Sequence, residues 1–145
     1  MKEEEVTKGI LKALMADGWK IICYDFPQSG TGRVLHPNNR ENKTFGAIIP
    51  DIVAIKGDIV VDFENKDRFV FSDFEKIDAL RKTTEYSESL ERLLMGNQYS
   101  KIYYGIGMPM TEANFTKAEE NNSLVDFIVY LNPDGTLKST GVDVF

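Results

Sequence analysis

The sequence predicts one three-layer α/β domain, residues 1–145, built on a mixed β-sheet. Its 145 residues fall within the ~100–200 of a single domain. Segments with helical spacing alternate with short runs of β-forming residues, and two of those runs meet at a tight hairpin signal. The resulting order is helix, strand, two-strand hairpin, helix, strand, helix, strand, which gives helices on both faces of a sheet.

From Glu3 to Asp17, apolar Val6, Ile10, Leu11, Ala13, Leu14 and Met15 recur at helical spacing, and Gly18 supplies a stop. Trp19 to Phe26 is rich in β-formers and ends at Pro27, so it reads as a strand. Gln28 to Phe45 is a long loop with Gly30, Gly32 and Pro37. Ala47–Ile55 and Asp58–Lys66 are the hairpin strands, turned at Lys56-Gly57. Ser72-Asp-Phe-Glu75 has the form of a capping box. Beyond it, Phe74, Ile77 and Leu80, then Leu90, Leu93 and Leu94, carry a helical reading to Gly96, with a polar interval at 82–89 that divides it. Ile102–Ile106 is a strand, Thr111–Asn121 a helix and Val125–Leu131 a strand, followed by the turn Asn132-Pro-Asp-Gly135 and a short tail.

Hydrophobic residues are 42% and charged residues 28%, which excludes collagen-like, disordered and disulfide-scaffold classes. No apolar run approaches the ~18 residues of a membrane span, and the acidic start Met1-Lys-Glu-Glu-Glu5 does not suit a signal peptide. A lone Cys23 can neither staple the fold nor build a zinc site, so a reducing, cytoplasmic location is expected. The net charge of −6 argues against broad adhesion to nucleic acid, but the excess of acid lies wholly in residues 51–145. The local field over a binding face matters more than the total.

The chemistry concentrates in the hairpin. On its second strand Ile59, Val61 and Phe63 point one way, while Asp62, Glu64 and Lys66 point the other. Folding at Lys56-Gly57 pairs residues whose numbers sum to about 113–115, which lays Asp51 across from the Asp62–Glu64 region. Two converging carboxylates suit a hard dication such as Mg²⁺, whose remaining positions go to water and phosphate oxygens. An ammonium beside them, Lys66, is placed to orient or deprotonate a water, or to stabilise charge building on a phosphate. Metal-assisted phosphodiester hydrolysis is the chemistry these parts fit. The plain alternative is that Asp62, Glu64 and Lys66 form the solvated face of an ordinary hairpin.

Pro50-Asp51, twelve residues, then Glu64-Asn65-Lys66 resembles the signature of the PD-(D/E)xK nuclease superfamily, and the element order resembles its restriction-endonuclease-like αβββαβ core. The resemblance spans roughly Glu3 to Met108. Within the superfamily, the stretch from Gly18-Trp19 through Ser29–Arg33 to the hairpin is similar to archaeal Holliday-junction resolvases and small type II restriction endonucleases. It implies a Mg²⁺-dependent DNA endonuclease, with Mn²⁺ as a substitute. Asp51 and Glu64 would be metal ligands and Lys66 the catalytic lysine. A first-helix glutamate would join the metal, Glu4 ahead of Glu3. Hydrolysis would leave 5′-phosphate ends, and cutting both strands of a duplex calls for a homodimer. A structure-specific nuclease, or a nuclease-like fold serving as a binding module, are the alternatives. Two features depart from the family's pattern: Asn65 where the middle residue is usually apolar or small, and the acidic overall balance.

The loop carrying Arg33, His36, Arg40 and Lys43 is the candidate nucleic-acid contact, with Gly30 and Gly32 permitting close backbone approach. A loop of this length is otherwise a mobile, solvated connection. Arg81, Lys82 and Tyr86 follow on a helix that flanks the cleft in related nucleases, but equally suit ordinary helix surface. Cys23, set among β-formers, reads as a small buried hydrophobe rather than a nucleophile.

Overall fold

The computed structural model describes residues 1–26, 31–39 and 45–145. Its elements are α1 (Glu3–Ala16), β1 (Lys20–Tyr24), β2 (Ile52–Lys56), β3 (Ile59–Asn65), α2 (Phe71–Lys82), α3 (Ser87–Leu93), β4 (Lys101–Pro109), α4 (Glu112–Glu120), β5 (Phe127–Leu131) and β6 (Leu137–Gly141). The six strands lie in sequence order across one sheet. β1, β2 and β3 pair antiparallel, β3–β4 and β4–β5 pair parallel, and β5–β6 is antiparallel. The mixed sheet follows from connection length: a hairpin turns the chain back, whereas the helical crossovers return it to a parallel start.

Each face of the sheet has its own core. Val6, Ile10, Leu11 and Leu14 of α1 pack with Trp19 against Ile52, Ala54, Val61, Phe63, Phe127 and Val129. On the opposite face Phe74 and Ile77 of α2 and Ala118 of α4 cover Ile106, Met108, Ile128 and Tyr130. Leu94, just past α3, closes over Cys23, Val53, Ile55 and Val60. This is the three-layer α/β arrangement.

Several details differ from the sequence reading. The expected capping box does not form: α2 starts at Phe71 behind Val70, with no side-chain cap, and Asp73 turns into the protein instead. The hairpin's first strand begins at Ile52 rather than Ala47, because Ile48 pairs in an isolated bridge with Leu35. The tail after Asn132–Gly135 is a strand, β6, held by its ladder to β5. The polar interval does divide the second helical region, between Lys82 and Ser87.

Two backbone positions bear on the site. The hairpin turns at Gly57, whose φ of +61° lies in the region that favours glycine. Gly107 on β4 lies against Asn65 and Ile10, so closely that a Cβ would collide with the Asn65 Oδ1 and the Ile10 Cδ1. Its carbonyl accepts the Lys66 backbone N–H at 2.9 Å. Gly107→Ala is therefore expected to lower unfolding stability by ~1–3 kcal/mol, the usual cost of overpacking. Urea denaturation would read it; a midpoint equal to wild type would contradict this packing.

Candidate active site

The β2–β3 register pairs Ile52 with Phe63 and Val53 with Asp62, a constant sum of 115, so Asp51 falls opposite Glu64. The pairing is extended past the strand by Asp51 N–H, which donates to the Phe63 carbonyl at 3.1 Å. The Asp51 carboxylate is itself fixed: its Oδ2 accepts the Asn65 backbone N–H at 2.7 Å. Alternation along β3 then puts Asp62 and Glu64 on one face and Phe63 and Asn65 on the other. Asn65 is fully buried, and its amide donates to Thr7 Oγ1 of α1 at 3.2 Å. The polar middle residue of the Glu-Asn-Lys triplet thus ties β3 to α1.

Lys66 sits at the meeting point of three elements. Its Nζ lies 3.7 Å from Glu3 of α1, 3.8 Å from Glu64 of β3 and 3.8 Å from Asp73 of α2. All three distances are ion pairs too long for direct hydrogen bonds. The ammonium is held by the field of several carboxylates rather than clamped to one. Glu4, the first-helix glutamate favoured in the sequence, points elsewhere and pairs with Lys8 at 3.3 Å on an exposed helix face. Glu3 takes the position beside the site.

The electrostatics are those of crowded acids. Burial and the neighbouring Glu64 push the Asp51 carboxyl up to about 8, against the pull of the Asn65 N–H. Burial, then Asp73 and Glu3, likewise raise Glu64, with Lys66 opposing. Asp62 is only 3% exposed, and burial followed by Glu64 and Asp51 holds it well above the usual carboxylate range. For Lys66, burial alone would lower the value, but Asp73, Glu3, Glu64 and Asp51 together outweigh it and raise it. Lys66 is therefore an ammonium at neutral pH. The solvated-face alternative does not hold, because Asp62 is buried, Lys66 is about three-quarters covered and Glu64 about two-thirds.

The donor set fits a hard dication. Asp51 and Glu64 offer carboxyl oxygens from which a dication would displace the proton that their crowding retains, and among the described residues no thiolate or imidazole competes. Among the described residues no three His, Cys, Asp or Glu side chains form a ready-made cage. Two carboxylates with water and substrate oxygens are enough for Mg²⁺, which usually binds in that way.

The basic loop is built differently from the expectation. Gly32 passes close to the sheet, where a Cβ would meet Ile49 Cγ2 at 2.5 Å and Asp25 Oδ1 at 2.7 Å, so its lack of a side chain serves chain packing. Arg33 is exposed. The His36 backbone is bound to Ser89 of α3 in both directions, each bond 3.0 Å, and Asn38 bonds Thr84, Ser87 and Glu88 at the start of α3. Residues 35–39 are thus docked against α3. Arg40 and Lys43 lie outside the described residues. Arg81 is committed to structure, bonding Asp78, Asp126 and the Ser123 carbonyl. Lys82 pairs with Asp78 at 2.8 Å. Burial first, then Asp62, raises the Cys23 thiol to about 11, so it is no nucleophile at neutral pH.

Asp73 was missed in the sequence, and Glu3 stood there second to Glu4. Asp73 follows Lys66 by seven residues in the first turn of α2, and only the tertiary path turns it back towards the lysine.

The fold and the site define an α/β protein with a cluster of carboxylates around one lysine at the open end of a hairpin. No family model matches the sequence, and no curated protein matches it. The chain is similar to the crystal structure of an XisH family protein from Nostoc punctiforme PCC 73102, with 16% identity, 92% of this chain and 95% of that chain covered, and a TM-score of 0.38. At that score the likeness carries no weight for function. Among the described residues no helix is long and apolar enough to cross a membrane.

Proposed function

We propose that this chain is a divalent-metal-dependent DNA endonuclease of the PD-(D/E)xK type. The observation that carries the reading is the placement of Asp51 opposite Glu64 on one hairpin, with the Lys66 ammonium 3.8 Å from Glu64. Asp51 and Glu64 would hold Mg²⁺, with Mn²⁺ as substitute. When bound, the cation polarises a phosphoryl oxygen and lowers the pKa of a water.

The remaining work falls to the chain itself. Asn65 N–H holds the Asp51 carboxylate in place, and the Asp51 N–H bond to Phe63 fixes its distance from Glu64. Lys66, an ammonium, neutralises charge on the phosphoryl oxygens and orients the attacking water. Water adds to phosphorus as the bond to the sugar 3′ oxygen breaks, leaving a 5′-phosphate and a 3′-hydroxyl. One such site per chain would cut both strands of a duplex only as a homodimer.

Calorimetric titration with Mg²⁺ or Mn²⁺ tests the reading, followed by digestion of plasmid DNA. Wild-type protein is expected to bind the metal and nick plasmid, and Asp51→Ala to lose both. If wild type binds neither ion, or if Asp51→Ala binds as well as wild type, the chain is a nuclease-like fold used for binding alone.

A further inference from the structure

We propose that the cleft beside Asp51 and Glu64 receives an unstacked nucleobase of the strand being cut, so that the substrate is DNA carrying a base already free of its duplex stack. The inference rests on the nuclease reading and assigns it a substrate class. The cleft has a volume of about 430 Å³, within the ~300–1,000 Å³ of small-ligand sites. Its walls are mainly apolar, from Phe45, Ile49, Pro50, Ile77, Leu80 and Tyr86, and it shares Glu64 with the carboxylate cluster. Pro50 adjoins Asp51. One nucleotide can therefore set its phosphate by Lys66 and its base in the cleft.

Three features favour a base over another apolar group. The Phe45 and Tyr86 rings meet edge to face, with centroids 6.2 Å apart and planes at 87°, and Tyr86 is fixed by donating its hydroxyl proton to the Gly46 carbonyl at 2.6 Å. Tyr86 is buried and braces Phe45, whose half-buried ring is a platform on which any base can stack. Ile49 leaves 45% of its surface in water, an apolar side chain without cover at the cleft. Asp62, which also lines the cleft, has a buried Oδ2 with no hydrogen-bond partner among the described residues. A buried polar atom left unbonded is costly, and the hydrogen-bonding edge of a base would satisfy it. A base within a duplex stack cannot reach such a recess; it must be extruded, and that is easiest where pairing is already broken.

The test is fluorescence anisotropy in EDTA, so that binding is read without cutting. Three otherwise identical duplexes carry, at one position, an unpaired adenine, a paired adenine or an abasic sugar. The unpaired adenine is expected to bind at least ten-fold tighter than either of the others. Ala79→Trp, which fills the cleft from its exposed wall, is expected to erase that preference. Should this variant fail to fold, an unpaired difluorotoluene nucleotide in wild type serves instead: shaped like thymine but without a hydrogen-bonding edge, it is expected to bind more weakly than adenine. Equal affinity for the three duplexes overturns base capture, as does an abasic duplex bound as tightly as unpaired adenine. Difluorotoluene matching adenine overturns the role of Asp62. Each of these results leaves metal-dependent plasmid cleavage standing, whereas loss of that cleavage with the preference intact would sink the nuclease reading alone.

Discussion

Lys66→Ala is expected to leave a folded protein whose DNA cleavage is reduced by at least ~10²–10³-fold, the scale seen when one charge-stabilising donor is removed from a preorganised site. The same substitution should leave Mg²⁺ binding equal or tighter, because it deletes a positive charge 3.8 Å from Glu64. Glu64→Ala should instead lose binding and cleavage together. The contrast separates the roles: one residue holds the ion, while the other acts on the phosphate. Plasmid digestion beside calorimetry reads both quantities, and circular dichroism checks the fold. Wild-type cutting by either variant would remove the assignment.

The metal-free protein is expected to lose thermal stability as pH rises from about 5 to 8, and to regain it when Mg²⁺ or Mn²⁺ is added. The sign follows from proton affinity. Asp51 titrates near 8 in the folded chain, against 3.8 for an ordinary aspartate, and Asp62 and Glu64 shift in the same direction. The folded state therefore binds more protons than the unfolded one across this interval. Its stability is full below pH ~4 and falls as pH climbs through the folded values. Each tenfold difference in proton affinity is worth ~1.4 kcal/mol. About 1 kcal/mol moves the Tm of a chain of this size by roughly 2–4 °C. A dication held by Asp51 and Glu64 competes with those protons, so its stabilisation should grow with pH. Thermal melts in chelator and in metal at several pH values read both effects. A metal-free Tm that climbs between pH 5 and 8 would contradict the crowded-acid site.

Local pattern made the hairpin and its two acids legible. A glycine turn fixes the register, period two fixes the face, and the sum of paired numbers places Asp51 opposite Glu64 without reference to the rest of the fold. The α/β layering was legible for the same reason, from apolar spacing and stops. What depended on long-range packing was not. Whether Glu3 or Glu4 turns inward is set by how α1 lies on the sheet through Val6, Ile10 and Thr7, and neighbouring helical positions differ by ~100°. The Ser72–Glu75 pattern is a sound local cap signal, yet Asp73 is drawn to Lys66 and the helix begins two residues earlier than that cap implies. The burial of Asp62 is invisible in an alternating strand, since it depends on what packs over that face of the sheet.

The ordering of strands in chain order has a kinetic consequence. Each strand of the sheet finds its partner in the next one along the chain, so the ladder can grow outward from a nucleus without a distant segment being threaded in. The chain nevertheless closes long crossovers to make the parallel β3–β4 and β4–β5 pairs, whereas the hairpins close short loops. The most local of these pairings is β2–β3, which also gathers Asp51, Asp62 and Glu64 before Lys66 has met α1 or α2. The nucleus therefore forms against like-charge repulsion, and mild acid, by discharging it, should speed refolding of the metal-free chain.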